Sequence, residues 1–173
     1  MSPFCRSNEN VFKMPMLECS LYGVASSTVD YSNEYKHRRY TRVEHIYKRG
    51  DTHIYVHVDE DRKKHRLIYY SKVDRNKQRT CLALNMELFE TNEDIFHVLE
   101  INKFTRISIM ECEIEEFRIS GYRVEINKEN GSEEAMIKAY CYVDDVIEGE
   151  ELLENVYTDL GIKMVYSTEM FMK

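Results

Sequence analysis

With 173 residues, 43% of them hydrophobic and 12% aromatic, the chain is long enough to bury a core as one domain, and no apolar run nears the roughly 18 residues of a membrane span. Its net charge of −7 is uneven: Lys36 to Arg79 carries +8 and the remainder −15, which either steers a partner to one side or marks solvated hairpin edges. Five cysteines (Cys5, Cys19, Cys81, Cys112, Cys141) are odd in number and form no CxxC pair, which argues against a disulfide framework and suits free thiols in the cytosol or nucleus.

The polar stretch Met1 to Met14 lacks the apolar core of a signal peptide. Residues 1–15 are therefore read as a flexible tail before a single domain over 16–173. Met16 to Val24 alternates, with Leu17, Cys19 and Leu21 on one side and Glu18, Ser20 and Tyr22 on the other, as a period-2 strand does. Ser26 to His37 reads as a short helix or a loop. Arg42 to Lys48 and Thr52 to Val58 form a hairpin around Arg49-Gly50-Asp51, and a polar turn at Asp59 to Lys64 leads into His65 to Tyr70. A second polar turn, Asp74 to Lys77, precedes Thr80 to Phe89, where Leu82, Leu84, Met86 and Leu88 share a face.

Thr91-Asn92-Glu93-Asp94 places acids where a helix start favours them, and Ile95, Val98 and Leu99 supply a short stripe behind it. Phe104 to Ile119 and Tyr122 to Lys128 form a long hairpin around Ser120-Gly121. Asn130-Gly131 is the clearest turn signal and leads to Met136 to Val143. Glu150 to Leu160 reads as one helix with a stripe of Leu152, Leu153, Val156, Tyr157 and Leu160, capped by Gly161, and Ile162 to Phe171 as a last strand. The fold expected is mainly β (α+β): an antiparallel β-barrel of about eight strands with two or three helices.

The six glycines stand singly at the edges of periodic segments, so no glycine-rich loop offers to cradle a phosphate. There is no GxSxG, and no cysteine stands in a local motif that would activate it. Glu111, Glu113 and Glu115 alternate and so point the same way, with Arg106 and Arg123 near them in sequence. Inside a barrel such a row could hold a divalent metal beside a triphosphate. The pattern resembles the triphosphate-tunnel enzymes, although their ExExK signature is missing and the first strand offers only Glu18. The plainer reading of the row is a solvated face.

His53 and His57 share a strand face, and His45 could lie opposite across the hairpin. Three imidazoles can bind zinc, but surface histidines beside tyrosines are the simpler reading. Tyr40, Tyr47, Tyr69 and Tyr70 interleave with basic residues in a way that could stack single-stranded nucleic acid. Glu44, Asp51, Asp59, Glu60 and Asp61 interrupt that surface.

The order of elements resembles Mediator subunit 18, a head-module component of the RNA polymerase II coactivator. Leu17-Glu18-Cys19-Ser20-Leu21-Tyr22-Gly23-Val24 is similar to that family's first strand, and His65-Arg66-Leu67-Ile68-Tyr69-Tyr70, followed by Arg79, to its central one. Phe104 opening a long hairpin, the turn Phe117-Arg118-Ile119-Ser120-Gly121 before Val124-Glu125-Ile126, and Ile137-Lys138-Ala139-Tyr140 before the Glu150 to Leu160 helix extend the similarity. The resemblance implies a nuclear β-barrel that pairs with subunit 20, receives a helix of subunit 8 and contacts RNA polymerase II indirectly. It implies no turnover, no cofactor, no metal, no catalytic residue, no membrane and no direct nucleic acid. The alternative is a metal-dependent triphosphate-tunnel-type phosphohydrolase using the Glu111-Glu113-Glu115 row.

Overall fold

A computed structural model describes residues 16–26, 37–60, 64–70, 74–75, 79–88, 94–119 and 121–160, with 16, 25–26, 37, 64, 74–75, 79–88, 94 and 157 described in their backbone only. The expected N-terminal tail, the helix or loop between Ser26 and His37, the Gly161 cap and the Ile162 to Phe171 strand lie outside the described residues.

The strands are β1 (Met16–Ser26), β2 (His37–Arg49), β3 (Thr52–Asp59), β4 (Lys64–Tyr70), β5 (Asp74–Arg75), β6 (Arg79–Leu88), β7 (Thr105–Ile119), β8 (Tyr122–Glu129) and β9 (Glu134–Val143). Among the described residues there are three short helices: α1 (Asp94–Ile101) between β6 and β7, then α2 (Val146–Leu153) and α3 (Val156–Leu160) after β9. Neighbouring strands run in the order β1-β9-β8-β7-β2-β3-β4-β6-β5, and β1 also pairs with β6. That last ladder, Met16 opposite Ala83 to Ser20 opposite Arg79, closes eight antiparallel strands into a ring, with β5 hung on β6. The barrel with helices expected from the sequence is the fold found, and its closure leaves few open strand edges.

The barrel is apolar outside and charged inside. On the outer face, Cys19 and Leu21 of β1, Phe117 and Ile119 of β7, Val124 of β8, and Ile137, Ala139, Cys141 and Val143 of β9 form one buried cluster with Leu153, Val156 and Leu160 of the last two helices. A second cluster lies under α1: Tyr47, Val56, Leu99 and Phe104, with Ile54, Ile95 and Phe96 against them. The opposite parity of the same strands, including Glu18, Arg42, Asp59, Glu125 and Lys138, turns to the lumen.

Local chemistry explains where the helices stop. Lys103, at φ 63°, takes the left-handed position that ends α1, and Phe104 N donates back to Leu99 O at 3.0 Å. Asp145 caps α2, accepting from Ile147 N at 2.8 Å. The single helix expected over Glu150 to Leu160 is instead two helices, and the first begins at Val146. Asn155 interrupts it, because an asparagine favours caps over helix interiors, and its carbonyl accepts from Thr158 N and Asp159 N.

Gly149, buried within α2, is where the helix backbone comes close to β1 and β9. A Cβ there would stand 2.8 Å from Cys19 Cβ and 3.2 Å from Val143 Cγ2, and closer still to Cys19 Sγ. Gly149→Ala should therefore destabilise the fold by about 1–3 kcal/mol despite alanine's better helix propensity. A thermal or urea melt checks it, and a gain in stability would show that α2 does not seat on β1 as described.

Candidate functional site

The lumen is organised around Arg42, a guanidinium only 1% exposed. Alternation along β2 turns Tyr40, Arg42 and Glu44 inward together. Arg42 Nε donates to Asp59 Oδ1 of the adjacent β3 at 2.9 Å. Its Nη1 reaches Glu125 Oε1 on β8 at 2.7 Å, and its Nη2 donates to the Tyr40 hydroxyl at 2.6 Å. Glu125 is on the far side of β7 from β2, so this fork reaches over one intervening strand. Arg66 of β4 adds a second cation to Asp59, at 3.0 Å. Burial pushes the Glu125 carboxyl up, but the charge and hydrogen bonds of Arg42 outweigh it and bring it to about 2.

A second node lies between β9 and β1. Lys138 Nζ stands 2.6 Å from Glu18 Oε1 and 3.2 Å from the Tyr70 hydroxyl. It also sits 4.6, 5.1 and 5.8 Å from the ring centroids of Tyr140, Tyr70 and Tyr22, a cation–π cage. Burial lowers this ammonium's pKa, and Glu18 more than reverses that, so Lys138 stays protonated.

The third node joins β2 to β3, where His57 Nε2 lies 2.6 Å from Glu44 Oε2. Burial, with Arg42 nearby, holds His57 below its ordinary value and keeps it neutral, so Nε2–H donates to the carboxylate. Burial raises Glu44, and the hydrogen bond from His57 with the charge of Arg42 brings it back below its usual value.

Above these nodes the lumen opens into a cavity of about 400 Å³, a size typical of small-ligand sites. Its mouth is formed by the β8–β9 turn, the end of β1 and the start of β7. Glu18, Glu44 and Glu125 line its depth, with Tyr22, Tyr55 and Tyr70 as aromatic wall, and Glu129 and Glu134 stand at the mouth.

The candidates expected from the sequence scatter across this frame. Glu111 and Glu113 are exposed on the outer face of β7, with Glu115 on the same face bonded to Arg39 at 2.9 Å, and Asn130 Nδ2 donates to Glu111. The row therefore faces away from the lumen, because β7 buries Cys112 and Ile114 inward instead. The phosphohydrolase alternative as built on that row is corrected by this parity. Arg106 is exposed on β7, and Arg123 lies 3.7 Å from Glu116.

His45 and His57 are on opposite faces: Glu44 pairs with His57 in the ladder, while His45 pairs with Val56 under α1 and meets the ring of Phe96 at 4.6 Å. Among the described residues no group of three or more His, Cys, Asp or Glu side chains is placed to hold a metal. Tyr47 is buried under α1 and Tyr70 in the lumen, so the tyrosines do not share one stacking surface. Burial raises Cys112 to about 11 and Cys141 to about 12, so neither is a nucleophile at neutral pH.

Sequence reasoning missed Arg42, Glu125 and Lys138. The available signal was polar alternation on several strands at once, in Tyr40-x-Arg42-x-Glu44, Arg123-x-Glu125-x-Asn127 and Met136-x-Lys138-x-Tyr140. Read one strand at a time, each looks like a solvated face.

No family model and no curated protein matches the chain. Solved structures do. The PH1819 protein of Pyrococcus horikoshii OT3 is similar with a TM-score of 0.71 at 16% identity, over 85% of this chain and 92% of that one. A chain of the Schizosaccharomyces pombe Mediator head module is similar at 0.68 and 13%, over 84% and 95%. A putative adenylyl cyclase from Hippeastrum, described as having a dominant triphosphatase activity, is similar at 0.60 and 12%, over 88% and 91%. At these identities the likeness carries the fold alone.

The paired lumen charges predict a pH dependence. Glu125 sits at about 2 when folded against an ordinary 4.5, so its contribution is full above about 4.5 and is lost as pH falls towards 2. His57, held below 6.5, adds an earlier loss, because below 6.5 the unfolded imidazole takes up a proton that the folded one resists. Urea midpoints from pH 7 to pH 3 should fall accordingly. Glu125→Gln should cost about 3–5 kcal/mol at pH 7, by leaving Arg42 half answered, and should flatten the fall below 4.5. An unchanged slope would mean that Glu125 does not bind Arg42.

Proposed function

We propose that this chain is a non-catalytic barrel subunit of the Mediator head type, resembling subunit 18, which works in the nucleus by docking partner subunits. One observation carries the reading: the buried lumen cations are committed to lumen carboxylates. Arg42 is held by Asp59 and Glu125, Arg66 by Asp59, and Lys138 by Glu18. A site that transfers or hydrolyses a polyphosphate needs cations available to its oxygens, and prepaired ones would first have to give up strong ionic contacts.

The outside of the barrel supports the same reading. Ile107 and Ile109 of β7 are 48% and 53% exposed, and Ile101 at the end of α1 is 65% exposed. Strand β8 pairs with β7 only from Cys112 onward, so β7 carries these isoleucines on an overhang that β8 does not cover. Exposed apolar side chains on such a strand suit a docking surface. The likeness to the Schizosaccharomyces pombe head-module chain extends over nearly all of that chain, as a whole-subunit counterpart requires.

Affinity purification of the tagged chain from its own cells should recover Mediator head subunits in near-equal amounts. The purified chain should release no phosphate from tripolyphosphate with magnesium or manganese. Metal-dependent turnover that disappears in Lys138→Ala would overturn the reading in favour of a triphosphatase, and recovery without any head subunit would remove the Mediator assignment.

A further inference from the structure

We propose that the open half of the lumen is a binding site for a small organic cation, an alkyl amine with more than one ammonium group, and is not a polyphosphate site. The inference stands on the cavity itself and does not depend on the docking reading.

Its unmet hydrogen-bonding groups are all acceptors. Glu18 is 1% exposed, and while its Oε1 meets Lys138, its Oε2 has no partner among the described residues. His57, also buried, donates through Nε2 to Glu44, which leaves Nδ1 as a lone-pair acceptor, and among the described residues that atom has no partner either. Both residues belong to the cavity wall. Buried acceptors without donors cost free energy. The group that answers them brings donors and no acceptors, which describes an ammonium and excludes a phosphate oxygen. Arg66 Nε, a buried donor of the lumen without a partner, is not in the wall of this cavity.

Charge points the same way. Among the described residues the wall carries Glu18, Glu44, Glu125, Glu129 and Glu134 against the single ammonium of Lys138. Arg42 neutralises Glu125 and Lys138 neutralises Glu18, whereas Glu44 is bonded to the neutral imidazole of His57 and feels Arg42 only through a charge already paired with Asp59 and Glu125. A second cation is therefore wanted at depth, and Glu129 and Glu134 offer places for another at the mouth.

The walls between suit an alkyl stem. Tyr22, Tyr55, Tyr70, Met110 and Met136 line the passage, and aromatic faces attract ammonium groups. The lumen already buries one ammonium by this chemistry, Lys138 between a carboxylate and three tyrosine rings. The proposed ligand extends the arrangement by one more charge.

Isothermal titration calorimetry with spermidine as the probe tests this. Spermidine should bind one per chain, and Glu44→Gln should weaken it about tenfold or more, the range of a charge-assisted hydrogen bond. If Glu44→Gln does not fold, as judged by circular dichroism, the exposed double variant Glu129→Gln/Glu134→Gln serves instead and should weaken binding severalfold. Glu111→Gln/Glu113→Gln, on the outer wall, should leave it unchanged. No binding, or equal weakening by the outer-wall variant, would overturn the proposal, since the latter marks general attraction to an acidic protein. Displacement of spermidine by tripolyphosphate at the same stoichiometry would also overturn it, by making the lumen an anion site.

Discussion

The guanidinium of Arg42 is the point on which the inside of this barrel depends. A charge so deeply buried is tolerated only when its donors are answered, and three separate strands answer it: Asp59 from β3, Glu125 from β8, and Tyr40 from its own strand. The contact therefore ties β2 to β8 across the intervening β7, as well as to its ladder neighbour β3. Its strength comes with exposure to loss, because removing either carboxylate leaves a buried charge in a low-dielectric setting.

From that constraint the rest of the architecture follows. A barrel that turns charge inward must find its apolar contact on the outside, and α1, α2 and α3 supply it. Each helix covers a patch of outer wall: α1 over Tyr47 and Val56, the other two over the β1–β9–β8 wall. The fit is close where Gly149 meets Cys19. Hydrophobic burial thus holds the strands from outside while ion pairs order them from within. The two sets are kept largely apart by the alternation of side chains along each strand, interrupted by a register shift between Ile46 and Tyr47 where β2 meets β7.

The fold is shared with a Mediator head-module chain and with a Hippeastrum adenylyl cyclase homologue described as having a dominant triphosphatase activity, among others, and fold alone does not choose between them. What distinguishes members of such a group is the lumen. Here its buried cations face carboxylates, its open end is acidic, and the unmet buried groups in the wall of that open end, Glu18 Oε2 and His57 Nδ1, are acceptors. An outer wall carrying exposed isoleucines beside an uncovered strand segment gives the molecule a surface for partners that is separate from the lumen.

Much of the fold is legible in the chain. Period-2 alternation locates β1, β3, β4 and the long β7–β8 hairpin, and Asn130-Gly131 and Ser120-Gly121 locate their turns, because local backbone and side-chain chemistry decides such features. The Leu152 to Leu160 stripe is legible too, but the break at Asn155 and the start at Val146 are not: Gly149 looks unfavourable in a helix until its contact with Cys19 is seen. The sequence by itself determined the alternation that gives most strands one polar and one apolar face, and the many antiparallel strands that favour a barrel. Only the tertiary structure decided which face is the inside. Alternation is the same pattern in either orientation, and the choice rests on where the helices pack and on long-range pairs such as Arg42 with Glu125, 83 residues apart, which no local window contains.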